Sequence, residues 1–214
     1  MADIFELFRK IAKKDDDALG APEYIIAGLG NPGAKYAATR HNAGFMAMDY
    51  LSEKIGADVS KLRFKALTAI TSIEGHKVLL MKPQTFMNLS GDSVREAADF
   101  YDIPPERVIV ISDDVSLPVG RVRVRGKGSS GGQKGLENII LRMNSENIPR
   151  VRIGVGARPA EYDMKDWVLG KIPESDREPF FASLGFAYDA IPLILAGDID
   201  GAMGKTNGRN AANG

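Results

Sequence analysis

Strand-length apolar runs alternate along the chain with amphipathic helical patterns, which predicts an α/β fold with helices on both faces of a sheet. Three stretches carry that expectation. Residues 24–27 and 108–111 are short apolar runs suited to buried strands. Residues 64–73 and 77–81 read as two strands joined by Glu74-Gly75-His76, a hairpin that demands an antiparallel pairing, so the sheet is predicted to be mixed.

Residues 1–14 place Ile4, Phe5, Leu7, Phe8 and Ile11 at helical spacing, with Arg9, Lys10, Lys13 and Lys14 towards the end. The spacing predicts an amphipathic helix, followed by an acidic run and an Ala-Leu-Gly-Ala-Pro linker. Such a helix docks on its own domain, frays in solvent, or anchors the chain to an unidentified partner or a membrane surface.

After the strand at 24–27, Gly28, Gly30 and Gly33 with Pro32 turn the chain sharply. His41 then falls near the carboxyl edge of the sheet, where open α/β sheets place their ligands. Phe45, Met48, Leu51 and Ile55 mark one face of a helix over about residues 42–55, which Gly56 is suited to end. The hairpin puts His76 in a solvated turn. Pro83 closes its second strand, and residues 84–89 lead into a helix with apolar Val94, Ala97, Ala98 and Tyr101.

The strand at 108–111 runs directly into Ser112, Asp113 and Asp114. Arg121, Arg123 and Arg125 alternate with Val122 and Val124, so the arginines share one face while the valines pack inward. Strands near 119–125 and 150–156 bracket a glycine-rich loop and a helix over 136–143. The last helical pattern, 174–195, contains Pro179 and Pro192, so its ends are expected to bend. Residues 198–214, rich in small and polar side chains, are expected to be a flexible tail.

A chain of 214 residues suits one domain with an appendage. It has no cysteine, which removes disulfides, thiol nucleophiles and thiolate metal sites and fits a reducing compartment. No apolar run approaches the roughly 20 residues of a membrane span, and the start lacks the apolar core of a signal peptide. The expectation is a soluble, cytoplasmic protein. Formal net charge is zero, yet residues 121–152 hold eight basic side chains against two acidic ones. A local cationic face on a neutral protein suits a polyanion held at one place.

Several motifs mislead. Gly28, Gly30 and Gly33 match the spacing of a dinucleotide fingerprint, but the helical pattern begins only near Asn42 instead of inside the glycine turn. The loop at 128–136 has the composition of a phosphate cradle without the Gly-Lys-Ser/Thr ending. Two histidines and no cysteine leave no histidine-rich metal site, although a carboxylate magnesium site stays open. A G-x-S-x-G elbow is absent.

What remains is one histidine, a strand-end carboxylate and several carboxamides near one sheet edge, a set able to run hydrolysis by water. Imidazole accepts a proton from attacking water, while a carboxylate at its other nitrogen fixes the tautomer. By position alone Asp113 serves equally as such a partner or as a strand-end cap. Asn31 alone reads as a turn residue and Asn88 as a helix-entry residue.

GLGNPG at 28–33, Tyr36 and ATRHNAG at 38–44, followed in order by KPQTFMNLSG at 82–91, DDVSLPVG at 113–120 and GSSGGQKGL at 128–136, resemble the bacterial-type peptidyl-tRNA hydrolases. The likeness runs over about residues 23–195. It implies a single-domain three-layer α/β/α sandwich with a mixed, mostly parallel central sheet over residues 23–197, between an extension at 1–22 and the tail at 198–214. It implies an enzyme of translation that cleaves the ester between a peptide and the 3′-terminal ribose of tRNA, without cofactor or metal, as a monomer. The alternative is a non-catalytic RNA-binding member of the same fold.

By the same resemblance His41 is the general base, Asp113 its orienting partner, and Asn31 and Asn88 hydrogen-bond the substrate. Tyr36, Phe86 and Met87 line the approach to the ester, and Arg123, Arg125 and Arg152 lie on the tRNA side. This sequence departs where Gln133-Lys134 replaces a frequent His-Asn, and where Ser116 replaces a frequent aspartate. Lys134 takes the place of a substrate-binding asparagine, and as a lysine it can only donate.

Overall fold

The structure, a computed structural model, describes residues 20–211. The helix expected over residues 1–14 lies outside the described residues, as does all but the end of its linker.

Seven strands form one sheet: β1 (Tyr24–Gly28), β2 (Lys61–Arg63), β3 (Ala66–Ile73), β4 (His76–Pro83), β5 (Val108–Asp114), β6 (Val122–Arg125) and β7 (Arg150–Gly154). Their spatial order is β2-β3-β4-β1-β5-β7-β6. Neighbours from β4 to β7 pair in parallel, whereas β2/β3, β3/β4 and β6/β7 are antiparallel. The sheet is therefore mixed, with β3 and β6 running against the rest.

The helices are α1 (Ala43–Ile55), α2 (Ser90–Tyr101), α3 (Lys134–Met143), α4 (Met164–Leu169), α5 (Glu174–Leu195) and α6 (Ile199–Thr206). Because side chains alternate across a strand, Ile26, Ile109 and Ile111 pack on one side with α1, α5 and α6. Ile25, Ala27, Val108 and Val110 pack on the other with α2 and α3. The result is one α/β/α domain. Among the described residues no helix is long and apolar enough to cross a membrane.

Gly56, at φ +67°, ends α1 in the left-handed conformation expected of it. Glu74 and Gly75 both have positive φ, the geometry of a two-residue hairpin turn. His76 is thus the first residue of β4 instead of part of the turn, paired with Ile73 and set edge-on to the Tyr24 ring. Two elements escape a reading by periodicity because they are too short to display one. They are β2 and the six-residue α4, which Asp163 caps through the Lys165 N–H at 2.8 Å.

The flexible tail expected at 198–214 is corrected as far as residue 211. Asp198 caps α6 through the Gly201 N–H, and Ala202 is fully buried. Asn207 hydrogen-bonds both backbone groups of Val124 in β6, and Arg209 pairs with Asp189. Small residues, read as signs of mobility, here permit close packing, and the folded domain runs past residue 197.

One contact places the site. A Cβ on Gly44 would lie 2.3 Å from the Ile111 carbonyl oxygen and the Leu29 nitrogen, and one on Gly28 would lie 2.4 Å from the Gly44 oxygen. Backbone therefore meets backbone where α1 begins, and the Phe45 N–H donates to Leu29 at 3.1 Å. The contact seats the start of α1 over the carboxyl ends of β1 and β5.

Candidate active site

His41 stands two residues ahead of α1, and Asp113 is the penultimate residue of β5. Imidazole Nδ1 is 3.0 Å from both carboxylate oxygens of Asp113. An ionised carboxylate only accepts, so Nδ1 carries a proton, and in the neutral ring the lone pair is then on Nε2. The His41 side chain is 12% exposed and that of Asp113 3%, leaving the ring at the rim of a cleft and its partner below it. Asp114, one step along the strand, is engaged elsewhere. It accepts from the Ser116 N–H and hydroxyl at 2.8 and 2.7 Å and faces Arg152 at 3.0 Å.

The carboxamides are held in a chain of bonds. Asn42 takes the Asn31 N–H on Oδ1 and gives Nδ2–H to the Asn31 carbonyl. The Asn31 side-chain oxygen accepts the Met87 N–H at 2.9 Å, which settles the orientation of its amide. Its N–H donors remain for the cleft that Asn31 lines. Gln133, at the amino end of α3, gives Nε2–H to Asp113 at 3.0 Å and accepts the Leu136 N–H at 2.7 Å.

His41, Asp113, Asp114, Asn31 and Gln133 border a cleft of about 580 Å³. Phe86, Met87 and Asn88 form one wall, and Met164, Val168 and Leu169 of α4 form another. That second wall is fixed from behind. The Arg40 guanidinium lies 3.7 Å from the Trp167 ring centroid, and the Trp167 indole N–H donates to the Gly156 carbonyl. Burial holds Arg40 below the usual arginine range. Among the described residues no three His, Asp or Glu side chains gather to hold a metal ion.

The cationic segment divides by burial and pairing. Arg150 is buried and donates to the carbonyls of Gly128, Ser129, Glu146 and Ile148, so it braces the glycine-rich loop instead of facing a ligand. Burial first, and the neighbouring Arg152 second, lower it to about 10. Arg142 pairs with Asp92, Lys134 with Glu137, and Arg152 with Asp114. Arg121, Arg123, Arg125 and Lys127 make no ion pair among the described residues. Arg123 sits opposite Arg152 across β6 and β7, which links these cations to the cleft edge.

The sequence model of the peptidyl-tRNA hydrolase family matches residues 25–213. The chain belongs to the peptidyl-tRNA hydrolase family. It is 49% identical over 185 residues to the peptidyl-tRNA hydrolase of Caldanaerobacter subterraneus subsp. tengcongensis, covering 86% of this chain and 100% of that protein. It is 47% identical over 188 residues to that of Clostridium novyi, covering 88% and 100%. The crystal structure of peptidyl-tRNA hydrolase from Acinetobacter baumannii superposes with a TM-score of 0.83 at 34% identity, covering 88% of this chain and 96% of that one.

Of the residues that resemblance to the peptidyl-tRNA hydrolases singles out, His41, Asp113, Asn31, Phe86, Met87, Asn88, Lys134 and Arg152 line one cleft. Tyr36 does not line it; its ring lies under the Lys35 ammonium at 4.8 Å. Arg123 lies beside the cleft rather than in it, and Arg125 borders a separate groove with Tyr24, Arg107 and Lys127. Sequence reading missed Asn42 as the brace of Asn31, Gln133 as a partner of Asp113, and α4 as a wall. Asp163 ahead of Met164 was a usable capping signal for α4. Nothing local in the sequence marks the reach of Gln133 to Asp113.

Proposed function

We propose that this protein hydrolyses the ester joining a peptide, or another N-blocked aminoacyl group, to the 3′-terminal ribose of tRNA, releasing peptide and reusable tRNA. The observation that carries this reading is the His41–Asp113 pair, set with Asn31 and Asn88 in one cleft of a chain of this family. His41 Nε2 removes a proton from water as the water attacks the ester carbonyl. Asp113 holds the ring in the active tautomer and stabilises the imidazolium that forms. The Asn31 amide donates to oxygen at the reacting carbonyl, and Asn88 reads the peptide amide that distinguishes a blocked substrate from free aminoacyl-tRNA.

Phe86 and Met87 offer an apolar wall to the terminal nucleotide, and Lys134 a donor at the amino end of α3. Arg152, Arg123 and Arg125 contact the sugar-phosphate backbone, supplying affinity without reading sequence. The protein works as a cytoplasmic monomer in this reading, and no step in it calls on a metal or cofactor.

The test is release of N-acetyl-aminoacyl groups from tRNA by wild type and His41→Ala, with unblocked aminoacyl-tRNA as control. Cleavage confined to the blocked substrate and a loss in the variant of roughly 10²–10⁴-fold support the reading. Binding of tRNA without cleavage by wild type points instead to an RNA-binding member of the fold. Undiminished cleavage by the variant removes His41 from the mechanism.

A further inference from the structure

We infer that Gln133 is a positioning residue for the His41–Asp113 pair, holding the Asp113 carboxylate in place while it caps α3; the inference rests on the hydrolytic function proposed above. Helix N-caps favour Ser, Thr, Asp and Asn, whose short side chains put an oxygen beside the first free N–H groups. Glutamine is longer than a cap requires, and the extra reach is in use. Oε1 accepts the Leu136 N–H at 2.7 Å, while Nε2 lies 3.0 Å from Asp113 Oδ1 and 3.2 Å from Met87 Sδ. Turning the amide over would set its oxygen against the carboxylate and its N–H groups against the Leu136 N–H, so one orientation is enforced.

Gln133 is 8% exposed, and water competes little for these bonds. The Asp113 carboxylate has two hydrogen-bond partners among the described residues, the His41 ring and Gln133. The ring alone, equidistant from both oxygens, leaves the carboxylate free to rock. Gln133 fixes Oδ1, and with it the orientation in which the carboxylate accepts from His41 Nδ1. It also ties that carboxylate to α3 and to Met87, whose N–H positions Asn31.

The experiment uses the full chain with Gln133→Ser, Gln133→Glu and Gln133→His. Readouts are hydrolysis of N-acetyl-aminoacyl-tRNA over about pH 5–9, thermal unfolding, and the titration of the His41 imidazole by NMR. Serine keeps the cap but cannot reach Asp113. It is expected to unfold near the wild-type temperature, with kcat down on the order of tenfold and KM little changed, as suits loss of one hydrogen bond to a charged group. Either the serine or the glutamate variant leaves more negative charge for the imidazole, so His41 holds its proton to higher pH. The acid limb of kcat/KM moves up with it, most in Gln133→Glu. Histidine restores a donor and is expected to restore kcat.

Asp114 on β5, Arg152 on β7, Lys134 on α3, Asp163 and Lys165 at the start of α4, and Arg40 beside His41 are the charged groups around the pair. None of them changes between variants, so the shift reports on residue 133. Wild-type kcat and an unmoved pH profile in both the serine and glutamate variants overturn the inference. An inactive wild type defeats the hydrolytic function instead. The imidazole titration then decides alone, an unmoved His41 overturning the inference and an upward shift upholding it.

Discussion

An imidazole that takes a proton from water must present a bare nitrogen, and here the neighbours of His41 decide which one. Asp113 claims Nδ1, and Gln133 in turn claims one oxygen of Asp113. Asp113→Asn is informative for that reason. The Gln133 donor draws the new amide oxygen towards itself, which turns the asparagine N–H₂ to His41 Nδ1 and moves the proton to Nε2. The expected result is a kcat lower by roughly 10³–10⁴-fold with the fold intact, measured at saturating blocked substrate. A loss within tenfold means that Asp113 does not set the tautomer. That Asp113 and not Asp114 meets the histidine follows from the strand's alternation, which sends one residue to His41 and the next to Arg152. Both residues look alike in the sequence, and only motif resemblance separates them there.

At the scale of elements, the seating of α1 on β1 fixes where His41 can stand. Gly44→Ala forces a methyl group to within 2.3 Å of the Ile111 carbonyl oxygen and the Leu29 nitrogen, both backbone atoms. Chemical denaturation is expected to show a loss of about 1–3 kcal/mol or more, with activity falling further than stability as His41 leaves Asp113. Unchanged activity means that the site does not depend on this contact. The boundaries of α1 were legible because Gly56 and the Phe45, Met48, Leu51, Ile55 face are local signals. The hairpin turn at Glu74 and Gly75 was legible for the same reason. The burial of Arg150 was not, since its carbonyl partners come from segments on both sides of α3 and no pattern around residue 150 announces them.

Across the whole molecule, zero formal charge conceals a directional field. After burial and ion pairing are taken into account, Arg121, Arg123, Arg125 and Lys127 make the end of the cationic segment without ion pairs among the described residues, with Arg125 and Lys127 exposed, Arg121 and Arg123 half-buried, and Arg123 joining them to Arg152 at the cleft. Arg125→Glu is therefore expected to weaken tRNA substrates while sparing short ester mimics, and to flatten the dependence of binding on salt by about one unit of slope. Equal loss on both substrates removes Arg125 from RNA binding. Composition disclosed the excess of positive charge but not its division, which is a matter of long-range contacts. The terminal segment was hidden by the same limit, because Gly, Ala and Asn look mobile until their partner is known. Its bonds have a bearing on behaviour in concentrated solution. Asn207 occupies both backbone groups of Val124, and the Ala211 N–H joins the Gly120 carbonyl, so the outer margin of β6 is closed to a neighbouring chain. At the far margin β2 is only three residues long and carries Lys61 and Arg63. A protein ended at Gly197 would bare the β6 margin together with the apolar cluster that Ala202 helps to bury, and light scattering should find it self-associating at concentrations where the full chain gives a single species.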